Sequence, residues 1–190
     1  MNQKGFTLME VVVAVSLLGV VSVVSVSVVA NLLKSAVKTQ ALLDTEQTAS
    51  FVLLKLTNDL EQAGTVSVVG NTLKIYQIGS NPVDVEYRVE VCNAATGISC
   101  LKRKETDGAF IPLTDASSDP DDASQAGKSA VGVSQLSGAS YFSLINDTSV
   151  PPKPVAVNVS MRFDKPDVTD PGAFYGESTL DTTIVLPTPQ

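Results

Sequence analysis

The sequence predicts an α+β fold: one long N-terminal helix, apolar in its first half and amphipathic in its second, with an antiparallel β-sheet packed on that second half. Three observations carry this. Val11 to Leu33 is a run of 23 residues without a charge. No proline occurs before Pro82, so nothing breaks a helix that begins in that run. Beyond residue 64 the apolar positions fall into short alternating runs set off by Gly, Asn and Pro. At 190 residues the chain has the size of a single domain.

The apolar run comes first. Eleven of the 19 residues from Val11 to Val29 are valine. Valine favours strands in water, but in lipid an isolated strand leaves every backbone N–H and C=O unpaired, so a helix is forced. Its 23 residues would span about 35 Å, against a hydrocarbon core of about 30 Å. Ser16, Ser22, Ser25 and Ser27 can return their hydroxyls to the preceding turn. Lys4 precedes the run and Lys34 and Lys38 follow it, so the basic residues do not orient it. Glu10 breaks the pattern, because a carboxylate near hydrocarbon costs about 3 kcal/mol or more. Read alone, it is an acid at a helix N-terminus, favoured by the macrodipole.

The helix is expected to continue. Ala49, Val52, Leu53, Leu56, Leu60 and Ala63 fall on one helical face, and Gly64 follows as a stop signal. One helix from Phe6 to Ala63 would be about 87 Å long. Its second half (residues 34–64) needs an apolar partner, which only residues 65–190 can supply.

Those residues read as sheet. Thr65 to Val69 and Leu73 to Ile78 form a hairpin across Gly70-Asn71. Val83, Val85, Tyr87, Val89 and Val91 alternate with Asp84, Glu86, Arg88 and Glu90, one face buried and one solvated. Ile98 to Lys104 would pair with this strand across the turn from Asn93 to Gly97. Tyr141 to Ile145, Val155 to Phe163 and Thr179 to Leu186 are further strands. Asp115 to Ser129, rich in Ser, Asp and Ala, reads as an exposed mobile loop, as do Thr148 to Pro154 and Asp164 to Gly176. Cys92 and Cys100 flank the proposed turn. In an exported domain they are expected to form a disulfide closing the hairpin, worth roughly 2–3 kcal/mol, the other reading being two buried thiols.

Composition excludes several chemistries. There is no His, so no Ser-His-Asp or Cys-His pair and no His-ligated metal can form. Two cysteines cannot make a four-thiolate site. Gly127-Lys128-Ser129 fails as a phosphate loop, because the required glycine is Asp122. Asp115, Asp119, Asp121 and Asp122 could bind calcium, but they lack the glycine and terminal Glu of an EF-hand, so a solvated acidic loop is the expected reading. Net charge is −7 overall, and residues 65–190 hold nine basic and fifteen acidic side chains. Lys102-Arg103-Lys104 would split across two faces of a strand. Nucleic acid is therefore not an expected partner. No cofactor, metal or catalytic constellation is expected.

The chain opens Met1-Asn2-Gln3-Lys4-Gly5-Phe6-Thr7-Leu8-Met9-Glu10. This resembles the N-terminal signature of type IV pilins and pseudopilins: a short basic leader ending in Gly, then Phe-Thr-Leu-x-Glu, then about 20 apolar residues. The resemblance covers about the first 30 residues. It implies a pilin-like fold and a leader of residues 1–5. It also implies cleavage between Gly5 and Phe6 by a prepilin peptidase, with N-methylation of Phe6. Residues 6–33 would then be the transmembrane and filament-core helix. The Phe6 amine of one subunit would meet Glu10 of an axially displaced neighbour, making one pair of two costly charges. The implied partners are other pilin or pseudopilin subunits, the prepilin peptidase, an inner-membrane assembly platform and membrane lipid. The implied location is the inner (cytoplasmic) membrane, crossed once with residues 65–190 outside, and then a surface or periplasmic filament.

Two departures matter. Many major pilins carry a proline within this helix, where this chain has Gly19 and serines. Major pilins of diderm bacteria usually place a disulfide near the C-terminus, whereas Cys92 and Cys100 lie in the first half of the sheet region. The first bears on whether the helix unwinds in a filament; the second, with the chain length, makes a minor pilin or minor pseudopilin the expectation. Its rivals are a tip adhesin or DNA-uptake pseudopilin that loads binding onto its loops, and a domain behind an ordinary signal peptide cut after Ala30.

Overall fold

The computed structural model describes residues 7–77, 84–93, 98–106, 108–114, 131–146, 148, 154–166 and 174–187. Within these, one helix, α1 (Leu8–Glu61), is followed by nine strands: β1 (Ala63–Val69), β2 (Thr72–Gln77), β3 (Val85–Asn93), β4 (Ile98–Glu105), β5 (Ile111–Pro112), β6 (Gly132–Ser134), β7 (Phe142–Asn146), β8 (Pro154–Pro166) and β9 (Phe174–Val185). The architecture is α+β, with every strand pair antiparallel. The chain divides into two compact units between Gln40 and Ala41.

The first unit holds α1 up to Gln40. No described residue in it is buried. The segment is long and apolar enough to cross a membrane. The serines do return to the preceding turn: Ser22, Ser25 and Ser27 donate to the carbonyls four residues back at 2.8–3.1 Å, and Ser16 donates to Val13 at 2.8 Å. Each hydroxyl is thus satisfied within the helix, which suits an apolar surrounding.

In the second unit, Ala49, Val52, Leu56 and Leu60 bury the expected face of α1. They pack on Leu73, Ile75, Tyr87 and Leu101 of one sheet and on Val157, Val159, Met161 and Phe163 of another. The strands expected as one sheet are divided between two. The first has the order β1-β2-β3-β4-β5. In the second, β8 runs along β9 on one edge and meets β6 and β7 in succession on the other.

Several boundaries differ from expectation for identifiable reasons. α1 ends at Glu61, and Ala63 already pairs with Gln77. Gly64 lies at a register irregularity between Ala63 and Thr65, so this glycine marks a bulge in the strand and not a helix cap. Val91, expected inside, is 58% exposed, beside a second irregularity between Val91 and Asn93. Val155 also lies outside the core, 39% exposed. The span from Asp164 to Gly176, read as a loop, contributes strand at both ends, because Asp164 pairs with Glu177 and Lys165 with Gly176. The Gly70-Asn71 hairpin forms as read, with Gly70 at φ +58°. Most of the turn from Asn93 to Gly97, and the segment Asp115 to Ser129, lie outside the described residues.

Gly176 is where β9 meets α1. A Cβ there would sit 2.6 Å from the backbone C and O of Ala41, so only glycine allows this approach. Nearby, Lys165 Nζ donates to Asp44 and ties β8 to the same stretch of helix.

Candidate functional site

The site the sequence singles out is the start of α1. Thr7 precedes the first helical residue, and its carbonyl accepts the N–H of Val11 at 3.3 Å, which makes Thr7 the N-cap. Glu10 is the third residue of the helix. The Glu10 N–H donates to Thr7 Oγ1 at 3.3 Å, while Glu10 Oε2 accepts from Thr7 N at 3.0 Å and from Thr7 Oγ1 at 3.1 Å. This is a reciprocal capping box, which satisfies two of the orphan donors at the helix start. Glu10 is exposed, so its carboxylate is accessible to an incoming cation. Gly5 and Phe6 lie outside the described residues.

The capping role of Thr7 was not drawn from the sequence. The signal was present: Thr-x-x-Glu immediately before an apolar run is a helix-start pattern. The same Phe-Thr-Leu-Met-Glu stretch therefore contains a local structural device inside the motif that pointed to processing.

A second constellation was also missed. Asp59, 8% exposed near the end of α1, accepts from Tyr87 Oη at 2.5 Å and from Arg103 Nε at 2.7 Å. Arg103 also bonds Glu105. Burial, reinforced by the Asp59 carboxylate, holds the Tyr87 phenol far above its ordinary value. Burial opposes the Arg103 cation, but its bonds to Asp59 and Glu105 outweigh that and raise it further. Arg103 indeed points opposite to its neighbours. Lys102 pairs with Glu90 at 2.7 Å, and Lys104 lies 5.9 Å from the Phe110 ring, which Arg88 covers at 4.4 Å. No sequence pattern announced the Asp59–Arg103 pairing, because its partners are 44 residues apart.

Cys92 and Cys100 form a disulfide, with their Cα atoms 5.7 Å apart. Among the described residues no group of three or more acids and cysteines could hold a metal ion. The acidic residues Asp115, Asp119, Asp121 and Asp122 lie outside those residues, as does Gly127-Lys128-Ser129.

A family model of the prokaryotic N-terminal methylation motif matches residues 1–26. The chain carries the type IV pilin signature. The match takes in Gly5, Phe6, Thr7 and Glu10 and most of the valine-rich run. No curated protein and no solved structure matches the chain. The motif supports a processed, pilin- or pseudopilin-like subunit, and the apolar N-terminal helix fits a membrane anchor.

Proposed function

We propose that this chain is a minor structural subunit of a type IV pilus or a type II secretion-like pseudopilus. Prepilin peptidase cuts between Gly5 and Phe6, and Phe6 is N-methylated. The protein waits in the inner membrane, held by residues 6–33, with residues 65–190 outside. It then enters the filament through its helix. The observation that carries this reading is the methylation signature, whose described part opens an uninterrupted helix with an accessible Glu10 in its first turn. The position of Cys92 and Cys100, early in the sheet region, favours the minor class.

Cleavage leaves an ammonium at Phe6, about one helical turn before Glu10. In hydrocarbon each charge alone is costly, and together they form a single compensated pair. A neighbour displaced along the helix brings its own Phe6 amine to this Glu10. Wrong stagger leaves both charges unpaired, so the pair selects the correct one.

Mass spectrometry of the mature protein tests the processing step. A methylated Phe6 terminus is expected, and abolished trimming in Gly5→Trp. An intact leader, or Asn31 as first residue, rejects the reading. Glu10→Ala and Glu10→Gln should insert normally and disappear from sheared filaments; normal incorporation of both defeats the pairing mechanism.

A further inference from the structure

The solvated face of the first sheet collects cations in a chain that is acidic overall. Leu73, Ile75, Tyr87, Val89 and Leu101 point into the core, so the residues between them point outward. On β2, β3 and β4 the outward positions hold four cations, Lys74, Arg88, Lys102 and Lys104, and two acids, Glu86 and Glu90. The face therefore has an excess of positive charge, whereas the whole chain has a net charge of −7. Arg103, which separates Lys102 from Lys104 in the sequence, is turned inward to Asp59 and takes no part.

The register sets the spacing. Lys74 pairs with Glu86 and Glu86 with Lys104, so these three stand in one row across the strands. Arg88 and Lys102 stand side by side in the next row. At about 4.8 Å per strand, the backbones of Lys74 and Lys104 are about 10 Å apart. Arg88 bonds Glu86 at 2.8 Å, and Lys102 bonds Glu90 at 2.7 Å. Lys74 and Lys104 form no ion pair among the described residues, so they are the charges left for a partner. On the strand between them, the Arg88 guanidinium lies 4.4 Å over the Phe110 ring. The ring holds one face of the guanidinium and Glu86 holds an edge, which makes it a flat plate and not a freely swinging charge. The Arg88 side chain is still 40% exposed, so part of the plate meets solvent.

We propose that this face binds an acidic polysaccharide, a sugar polymer whose carboxylates are spaced by uncharged units. Charge spacing selects it first. Two free lysines about 10 Å apart suit a polymer with sparse charges. A nucleic-acid strand carries a phosphate about every 3.4 Å and would set the intervening ones against Glu86. The acids select it next. An ionised carboxylate has about four acceptor sites, and the bonds to Arg88 and Lys102 leave sites open on Glu86 and Glu90. Sugar hydroxyls donate to such sites, and phosphates cannot. The Arg88–Phe110 plate then offers a flat surface to the C–H face of a sugar ring. The charges steer and orient the polymer more than they tighten its grip. All these residues lie in the second unit, so the proposal goes beyond the filament reading and stands independently of it.

Equilibrium binding by the detergent-solubilised full-length chain tests this with three probes: hyaluronate, which has a carboxylate on every second sugar, dextran, which has none, and oligothymidine. Hyaluronate should bind about tenfold or more tighter than either of the others. Lys74→Ala and Lys104→Ala should each weaken it about fivefold, and together by about the product of the two. Arg88→Lys keeps the charge and loses the plate, and should also weaken it about fivefold. Lys55→Glu, on α1 and outside this face, should leave binding unchanged. No binding of hyaluronate, equal binding of dextran, or tighter binding of oligothymidine overturns the proposal. So does a loss in Lys55→Glu as large as that in Lys104→Ala, since net charge and not this face would then be responsible. None of these outcomes bears on whether the chain enters filaments, which the Phe6 terminus and the Glu10 variants decide.

Discussion

The two halves of α1 are continuous in backbone and opposite in surroundings. From Leu8 to Gln40 no residue is buried, although valine and leucine dominate. From Ala41 to Asp59 a buried residue recurs every three or four positions, Leu60 is buried beside the last of them, and the chain's own strands cover this face. In the apolar run of the first half, the serine hydroxyls and the Thr7–Glu10 box are satisfied within the helix itself. The second half spends its polar atoms on long-range partners: Asp59 on Tyr87 and Arg103, and Asp44 on Lys165. A helix made for lipid or for neighbouring subunits has to be self-sufficient, because it cannot count on a polar group outside. A helix made for its own domain can place an acid near its C-terminus, against the dipole, because an arginine waits there.

The sharpest way to break this contrast is Asp59→Ala. It strips Arg103, whose side chain is only 12% exposed, of its buried counter-charge. The expected loss is about 3–5 kcal/mol in urea unfolding of the detergent-solubilised chain. Hydrogen exchange should rise across residues 41–61 and in β3 and β4. Residues 8–33, which draw nothing from Asp59, should keep their protection. If both halves loosen together, the two are one cooperative unit and the contrast fails.

High pH probes the same junction more gently. The Tyr87 phenol is raised by burial and by Asp59. The folded state therefore holds its proton where the unfolded chain, with a value of about 10, releases it. Stability from this group is complete below pH 10 and declines above it, by up to about 1.4 kcal/mol per pH unit. Burial raises Tyr141 as well, so its contribution has the same sign. Tyr87→Phe should flatten most of the alkaline slope measured by chemical denaturation. An unchanged slope would show that Tyr87 is not what titrates.

What the sequence made legible follows from how local each signal is. The apolar run, the 49-52-56-60 face and the alternation of β3 are periodic patterns that residues announce by themselves, and the structure has all three. The cysteine pair was readable because eight residues separate them across one hairpin. The split into two sheets was not readable. It depends on β8 running 13 residues and accepting β6 and β7 on one edge, which only the register discloses. Gly64 misled because a glycine after a helical pattern signals a cap and a glycine in a strand signals a bulge, and the two contexts meet there. The Asp59–Arg103 pair was hidden because Asp59 falls outside the apolar positions that mark the core face of the helix and Arg103 sits in a basic cluster.

The smallest expected effect discriminates best at the other end of the helix. Glu10 caps the helix through Thr7, and in the proposed filament it would also offer its carboxylate to a neighbour's Phe6 amine, so one substitution removes both. Thr7→Ala separates them. Losing an N-cap hydroxyl costs about 1 kcal/mol, and the Glu10 carboxylate remains. If pairing between subunits is the work of Glu10, Thr7→Ala should lower filament incorporation only severalfold, about the ratio that 1 kcal/mol gives, while Glu10→Ala abolishes it. Thr7→Ser, which keeps the hydroxyl, should match the wild type. If Thr7→Ala is as damaging as Glu10→Ala, the acid acts by holding the first turn in shape, and the stagger must be set elsewhere along the helix.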